Sequence, residues 1–239
     1  MNKYTYTKKL NITDVGFDGS TAINNVMDLF QQAVTLHTEI MGVDTPSINE
    51  KYNAKWFIVS AHFEFNKMPR IYDDITVHTW PLPASAIKFP RAFVLENNKG
   101  ETLATCMTQW CTVDRDSGEF VRASVIKMPF DEYITDDPTT ERGRVLSTPC
   151  DTLCYERKML TSDIDMNNHV NNVAYIRMAM DCFSTKELSA MDIKSFDISF
   201  KNQCFESDLV SFYKQKAEDG WLIEAKIEDK TIFKAKITG

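Results

Sequence analysis

The chain lacks a long apolar run, an excess of positive charge, a paired cysteine motif and more than a scattering of histidine. Each shortage removes a class of function. A membrane-crossing helix needs roughly 20 consecutive apolar residues, and the 239 residues contain no such stretch. The opening MNKYTYTKKL has neither the apolar core of a secretory signal nor the Arg- and Ser-rich character of a transit peptide. A cytoplasmic protein without a membrane partner is therefore expected. The net charge of −7 argues against a general nucleic-acid binder. Six Cys are scattered without a CxxC pair, and none of the four His stands at zinc-ligand spacing from them. Free thiols are expected, with no metal and no cofactor.

The remaining composition is that of an ordinary globular protein, long enough for one large or two small domains. Residues 4 to 13 read as an opening strand. Ser20 is a candidate N-cap for a long amphipathic helix, with Ile23, Val26, Met27, Phe30, Ala33, Val34 and His37 on one stripe, ending near Gly42. His37 on that stripe reads as a core residue. A loop containing Pro46 follows. Phe57, Val59, Ala61, Phe63 and Phe65 then alternate as in a half-buried strand. His62 and His78 read as strand residues. Further strands cover 75 to 80, 89 to 96 and 102 to 113, the last two joined by a hairpin turn at 97 to 100. Residues 129 to 149, framed by Pro129, Pro138 and Pro149, lack periodicity and read as a linker.

After the linker the order repeats: a strand, a helix, then several strands. AINNVMDLF resembles HVNNVAYIR, and SAHFEFNKMPRIYDDI resembles KSFDISFKNQCFESDL. The offset, about 135 to 147 residues, marks a domain duplication. The expected organisation is a first domain at 1–128, the linker at 129–149 and a second domain at 150–239. One helix per half with enough strands to wrap it gives an α+β fold.

The chemistry concentrates in DIDMNNHVNNVAY, Asp163 to Tyr175. In an extended segment Asp165, Asn167 and His169 would point the same way. The pattern then switches to a helical stripe through Val170, Val173, Ala174, Met180 and Phe183. A helix N-terminus there offers unpaired N–H groups, and those around Val170 and Asn171 are candidate oxyanion donors. An acid, an amide and an imidazole beside such donors are equipped to attack and polarise a carbonyl. The plainer reading is a polar helix cap made by Asn167 or Asn168. A calcium loop is rejected, because Asn168 and Ala174 stand where Gly and Glu are needed.

This stretch resembles the active-site motif of the plant-type acyl–acyl carrier protein thioesterases and their bacterial relatives, a pattern close to D-x-D-x-N-x-H-V-N-N-x-x-Y. GFDGSTAINNVMDLFQQAVTLHTEIMG, DDITVHTWP and GETLATCMTQWCTVDRDSGEFVRAS are similar to further segments of that family, in the same order. The resemblance implies a tandem (double) hotdog, each half a curled antiparallel sheet around a long central helix. It also implies hydrolysis of fatty acyl thioesters of acyl carrier protein. Asp165, Asn167 and His169 take the family's catalytic positions. Gln203 and Cys204 stand where the family often has Glu-Cys, so Asp165 becomes the acid expected to do the chemistry. Cys204 is either a nucleophile with His169 and Asn167 or a small packed residue.

The first half has no acid-amide-His cluster, and the resemblance gives it the acyl pocket, with Phe30, Trp56 and Ile58 as candidate lining. The expected partner is an acyl carrier protein; a homodimer is implied as well. Carrier proteins are acidic, so docking needs local cations, and Arg142, Arg144, Arg157, Lys158 and Arg177 are candidates. Competing readings are an acyl-CoA thioesterase and a non-catalytic acyl-binding hotdog, the latter suggested by Gln203.

Overall fold

A computed structural model describes residues 2–140 and 148–239. The first half contains β1 (Tyr4–Lys9), α1 (Ile23–Met41), α2 (Thr45–Tyr52), β2 (Ala54–Phe65), β3 (Asp74–Pro81), β4 (Phe89–Asn97), β5 (Thr102–Asp114) and the short β6 (Phe120–Val121). The second half contains β7 (Thr152–Lys158), α3 (Asn172–Met180), α4 (Thr185–Ala190), β8 (Ser195–Phe200), β9 (Leu209–Ala217), β10 (Gly220–Ile227) and β11 (Lys230–Thr238). The strands form one antiparallel sheet in the order β1-β3-β4-β5-β2-β8-β11-β10-β9-β7, with β6 on β5. Read outward from the β2–β8 seam, both halves have the same order. In each, the strand that follows the helices lies at the seam and the strand that precedes them lies at the far edge. This is a double hotdog in which two sheets have fused into one.

The helices pack on that sheet because their apolar faces match its inner face. Phe30 of α1, Ile176 of α3, Phe63 of β2 and Phe196 of β8 belong to one continuous core spanning both halves. Gly42 ends α1 in the left-handed region (φ 63°), where its N–H reaches Glu39 and Thr38 carbonyls. Ser20 is not the cap of α1. It pairs across to Arg70, and the cap position is Ala22, whose side chain offers no acceptor. The segment containing Pro46 is also not a loop. It forms α2, because Pro fits a first helical turn and Ile48 is buried beside Val43 and Phe89. The second half's helix is shorter than expected, nine residues in α3 against nineteen in α1.

The alternation read in β2 breaks at one point. Register against β5 shifts between Ile58 and Ser60, so Val59 is an unpaired bulge residue. Ile58, Ala61, Phe63 and Phe65 face the core; Val59 is exposed. Across the seam, His62 Nδ1 meets Asp197 Oδ1 at 2.8 Å and Nε2 meets Glu64 at 3.3 Å. Among the described linker residues, Asp136 accepts from the Trp80 indole (3.0 Å), and Thr140 donates its N–H to Glu64 (2.9 Å). Among the described residues no helix is long and apolar enough to cross a membrane, and no group of His, Cys, Asp or Glu is arranged to hold a metal ion.

Candidate active site

The segment carrying Asp165, Asn167 and His169 is not extended. It doubles back on itself. A 3-10 turn at Thr161–Asp163 leads into a tight reversal in which Asp165 N–H donates to His169 O (2.8 Å) and Asn168 N–H donates to Asp165 O (3.0 Å). Ile164 bridges to Val170, and Asn171 N–H donates to Asp163 O (2.8 Å). Asn168 adopts φ 62°, which Asn tolerates better than most residues. Turn geometry, and not strand alternation, therefore brings the three polar side chains to one cleft. The helix cap is Asn171, whose Oδ1 accepts from Val173 N–H (2.8 Å), so neither Asn167 nor Asn168 plays that part.

Asp163 fixes the base of the loop. It is 1 % exposed. Its carboxylate accepts from Arg157 Nη2 (3.0 Å), Arg177 Nη2 (3.0 Å) and Leu160 N–H (2.9 Å). Two cations proposed from sequence for docking are thus engaged with a buried acid. Lys158 is exposed on β7, while Arg142 and Arg144 lie outside the described residues.

The cleft has a volume of about 490 Å³, and its walls come from both halves. Asp165, Asn167, His169 and Gln203 line it from the second half; Trp56 and Ile58 line it from β2. Phe30 does not line it. It is fully buried in the core, stacked on Phe93 (4.8 Å) and Phe63 (6.1 Å). Cys204 is also fully buried and is not part of the cleft wall. Burial pushes its thiol up to about 11, which leaves almost no thiolate at neutral pH.

Asp165 Oδ1 accepts from Asn167 N–H at 2.7 Å. The His169 ring lies between Phe205 (5.3 Å) and Phe57 (6.1 Å). Burial lowers the His169 pKa, the Lys55 charge lowers it further, and Asp165 opposes both, so the imidazole is neutral at pH 7. The two N–H groups expected to bind an oxyanion are already engaged: Val170 N–H donates to Cys204 O (3.0 Å) and Asn171 N–H to Asp163 O. Among the described residues, the N–H groups of His169 and Asn172 have no such partner, and both residues line the cleft.

Sequence reading missed Lys55, Lys201 and Lys230, which join the cleft from three separate segments. It also gave no role to Tyr175, although that residue closes the motif. Tyr175 lines the cleft, and its hydroxyl accepts from Cys204 N–H at 2.9 Å, tying the loop before β9 to α3. The motif itself was the signal for Tyr175; nothing local marks the lysines.

Models of the acyl-ACP thioesterase N-terminal and C-terminal domains match residues 1–125 and 152–239. Oleoyl-acyl carrier protein thioesterase 2 of Arabidopsis thaliana, a chloroplastic protein, is 22% identical over 228 residues, 87% of this chain and 62% of that protein. The chloroplastic palmitoyl-acyl carrier protein thioesterase of the same plant is 27% identical over 209 residues, 80% of this chain and 50% of that one. The chain thus spans between half and three-fifths of the length of these curated relatives. Among solved structures, an acyl-ACP thioesterase from Bacteroides thetaiotaomicron superposes with a TM-score of 0.89 at 20% identity, covering 99% of this chain and 97% of that one. The 12:0-ACP thioesterase from Umbellularia californica gives 0.83 at 17% identity, covering 99% and 96%.

Proposed function

Because the chain belongs to the acyl-ACP thioesterase family, we propose that it hydrolyses fatty acyl thioesters of acyl carrier protein to free fatty acid. The observation that carries this reading is the cleft in which an acid, an amide and a neutral imidazole meet beside an apolar wall. Asp165 delivers the attack on the thioester carbonyl, either by deprotonating a water molecule or directly. The C–S bond then breaks and the pantetheine sulfur leaves, taking up the proton drawn from water. On the direct route a water molecule afterwards hydrolyses the Asp165 anhydride. Asn167 holds Asp165 through its main chain and presents its amide to the water or the carbonyl. His169, neutral at rest, hydrogen-bonds the thioester and orients the attack. The unengaged N–H of Asn172, at the first position of α3, and that of His169 receive the carbonyl oxygen as it gains charge. Gln203 contributes an amide at the cleft wall and cannot act as a base. Cys204 packs behind the site.

The chain divides functionally at the linker: residues 1–128 shape the acyl side and 150–239 carry the chemistry, with 129–149 between. The carrier protein is acidic, and the lysines at positions 55, 201 and 230 give the cleft rim the cations that its net negative charge otherwise lacks. They suit a phosphopantetheine arm entering from that side.

The test is fatty acid release from a panel of acyl–acyl carrier proteins, octanoyl to octadecanoyl, by wild type and Asp165→Ala. Release by wild type that the substitution abolishes, with urea unfolding unchanged, supports the reading. Cleavage of acyl-CoA alone moves the substrate to coenzyme A. No turnover of either overturns the reading.

A further inference from the structure

The two halves build the same loop twice, and their hydrogen bonds show where they part. In the first half Gly16 N–H donates to Ser20 O (2.7 Å) and Gly19 N–H to Gly16 O (3.1 Å). In the second, Asp165 N–H donates to His169 O and Asn168 N–H to Asp165 O in the same pattern. The facing loops match as well. Arg70 N–H and Phe205 N–H each donate to an Asp carboxylate three residues on, both at 2.8 Å. Tyr72 and Ser207 adopt positive φ, 73° and 75°. Thr21 N–H donates to Pro69 O (2.8 Å) as Val170 N–H does to Cys204 O (3.0 Å). This bonding puts Ser20 in the place of His169, Arg70 in that of Phe205 and Pro69 in that of Cys204.

One bond belongs to the second half alone. Cys204 N–H donates to the Tyr175 hydroxyl at 2.9 Å. The first-half counterparts are unable to form it. Pro69 has no N–H, and Val26 has no hydroxyl. Val26 is the counterpart of Tyr175 because each donates its N–H to the residue that caps its helix, Ala22 (3.1 Å) and Asn171 (3.2 Å). The first half closes its loop without this bond, so the fold alone does not call for it. What the bond adds is a second grip on one residue. Val170 holds Cys204 by its carbonyl, and Tyr175 holds it by its N–H. Tyr175 is itself fixed, 4 % exposed with its ring against Phe233 (5.6 Å) and Phe200 (6.0 Å). The chain neighbours of Cys204, Gln203 and Phe205, both line the cleft. Phe205 packs on the His169 ring at 5.3 Å yet is 51 % exposed. A ring so exposed is not fixed by burial; its place follows from the backbone it stands on.

We propose that Tyr175 is a positioning residue: by receiving the Cys204 N–H, its hydroxyl holds Phe205 on the His169 ring and Gln203 at the cleft wall. Phe205 then keeps water from one side of the imidazole, as Phe57 does from the first half. The charges that bear on that ring are Lys55, from β2, and Asp165, from its own turn; Lys201 and Lys230 line the same cleft. Removing the Tyr175 hydroxyl alters none of them, so a change at His169 reports the packing of Phe205. The inference rests on the thioesterase reading for the part His169 plays in the reaction. The contact itself is testable without turnover.

Two measurements test it: the titration of His169 by NMR, its imidazole signal identified with His169→Gln, and kcat and KM on acyl–acyl carrier protein. In Tyr175→Phe the His169 midpoint should rise toward the usual value of about 6.5, because Phe205 no longer shields the ring. kcat should fall roughly tenfold with KM nearly unchanged, and the acid limb of kcat/KM should move up with the midpoint. Phe205→Ala should raise the midpoint by itself and add little in the Tyr175→Phe background. Tyr175→Phe also leaves Cys204 N–H buried without a partner, which costs stability. Adding Cys204→Pro removes that donor and rebuilds the first-half arrangement. The double variant should recover stability in urea but keep the raised midpoint and the low kcat. Recovery of midpoint and kcat together with stability would make Tyr175 a merely structural residue and overturn the inference. An unmoved midpoint in Tyr175→Phe or in Phe205→Ala would overturn it too. Where Tyr175→Phe alone does not fold, the double variant and Phe205→Ala carry the titration. Wild type without turnover would sink the thioesterase reading, and the His169 midpoints would still decide this one.

Discussion

Replacing Asp163 by Asn should loosen the loop that carries Asp165, Asn167 and His169 without touching the cleft wall. The side chain keeps its shape but loses its charge, and one acceptor oxygen becomes a donor. Three bonds converge on that carboxylate, from Arg157, Arg177 and Leu160 N–H. A hydrogen bond involving a charged group contributes about 1.5–3 kcal/mol when well buried. Arg177 is 51 % exposed and Arg157 28 %, so solvent screens both, Arg177 more strongly. Discounted in this way, the substitution should cost about 3 kcal/mol. For a chain of this size that is a fall in Tm of roughly 6–12 °C.

Urea unfolding followed by tryptophan fluorescence reads the loss directly, provided the slope of the transition is unchanged. Arg177→Met should cost less than Arg157→Met, because it is the more exposed partner. The double variant Asp163→Asn/Arg157→Met should cost less than the sum of the two single variants, since they share an interaction. At a temperature where the Asp163→Asn protein is folded, kcat should fall, because a side chain less firmly held by Arg157, Arg177 and Leu160 N–H leaves residue 163, whose carbonyl accepts from Asn171 N–H, freer to move at the base of the Asp165 turn. A loss below about 1 kcal/mol with additive arginine effects would refute the view of Asp163 as the loop's anchor.

Burial and then Lys55 hold the His169 pKa below its usual value, so removing the lysine by Lys55→Met should move the acid limb of kcat/KM to higher pH; an unmoved or lowered limb would refute that electrostatic link. Cys204→Ala should keep most activity at a cost of about 1 kcal/mol for the small void. Loss of turnover in a folded protein would instead revive a thiol mechanism. At the seam, burial lowers the His62 pKa, but Asp197 and Glu64 outweigh it and the net shift is upward. The folded state therefore holds that proton more tightly than the unfolded one. The stabilisation is fully present below about pH 6.5 and is lost as pH rises through the higher folded value. The stability deficit of His62→Gln, measured by urea unfolding, should accordingly shrink from pH 6 to pH 9, and a deficit that grows would contradict the sign.

The duplicated α+β organisation was legible because its signals are periodic, strand alternation and a helical stripe recurring in each half, and because the two halves resemble each other in sequence; the double hotdog itself was implied by the resemblance of the motif segments to the family. What escaped was set by contacts distant in sequence. Pro46 read as a loop marker, yet it stands in the first turn of α2, where proline suits a helix start, and Ile48 gains burial against Val43 and Phe89. Asp165, Asn167 and His169 were identified by residue type, but the alternation argument for their common direction was wrong. A reversal stabilised by Asn168 at positive φ does the same work. Arg157 and Arg177 looked like surface cations because nothing nearby in sequence says that Asp163 is buried between them. Val170 and Asn171 were reasonable oxyanion donors until the Cys204 carbonyl engaged the first and the Asp163 carbonyl the second.

The first half has no acid-amide-His cluster of its own, yet its strand β2 reaches the His169 ring. A regular β2 would alternate from Phe65 inward through Phe63, Ala61 and Val59 to Phe57, burying Phe57 in the core. The bulge at Val59 inserts one residue, buries Ile58 instead and turns Phe57 and Lys55 to the other face. There Phe57 meets the His169 ring at 6.1 Å, and Lys55 lowers the imidazole pKa. Both effects act across the β2–β8 seam, so the Asp165–His169 loop of the second half is conditioned by a one-residue irregularity in the first. A separated second half would keep Asp165, Asn167, His169 and Phe205 but lose Phe57 beside the imidazole and the Lys55 charge that helps lower its pKa. Fusion of the two sheets is for that reason part of the site, and the duplication cannot be read as one working domain with a passive companion.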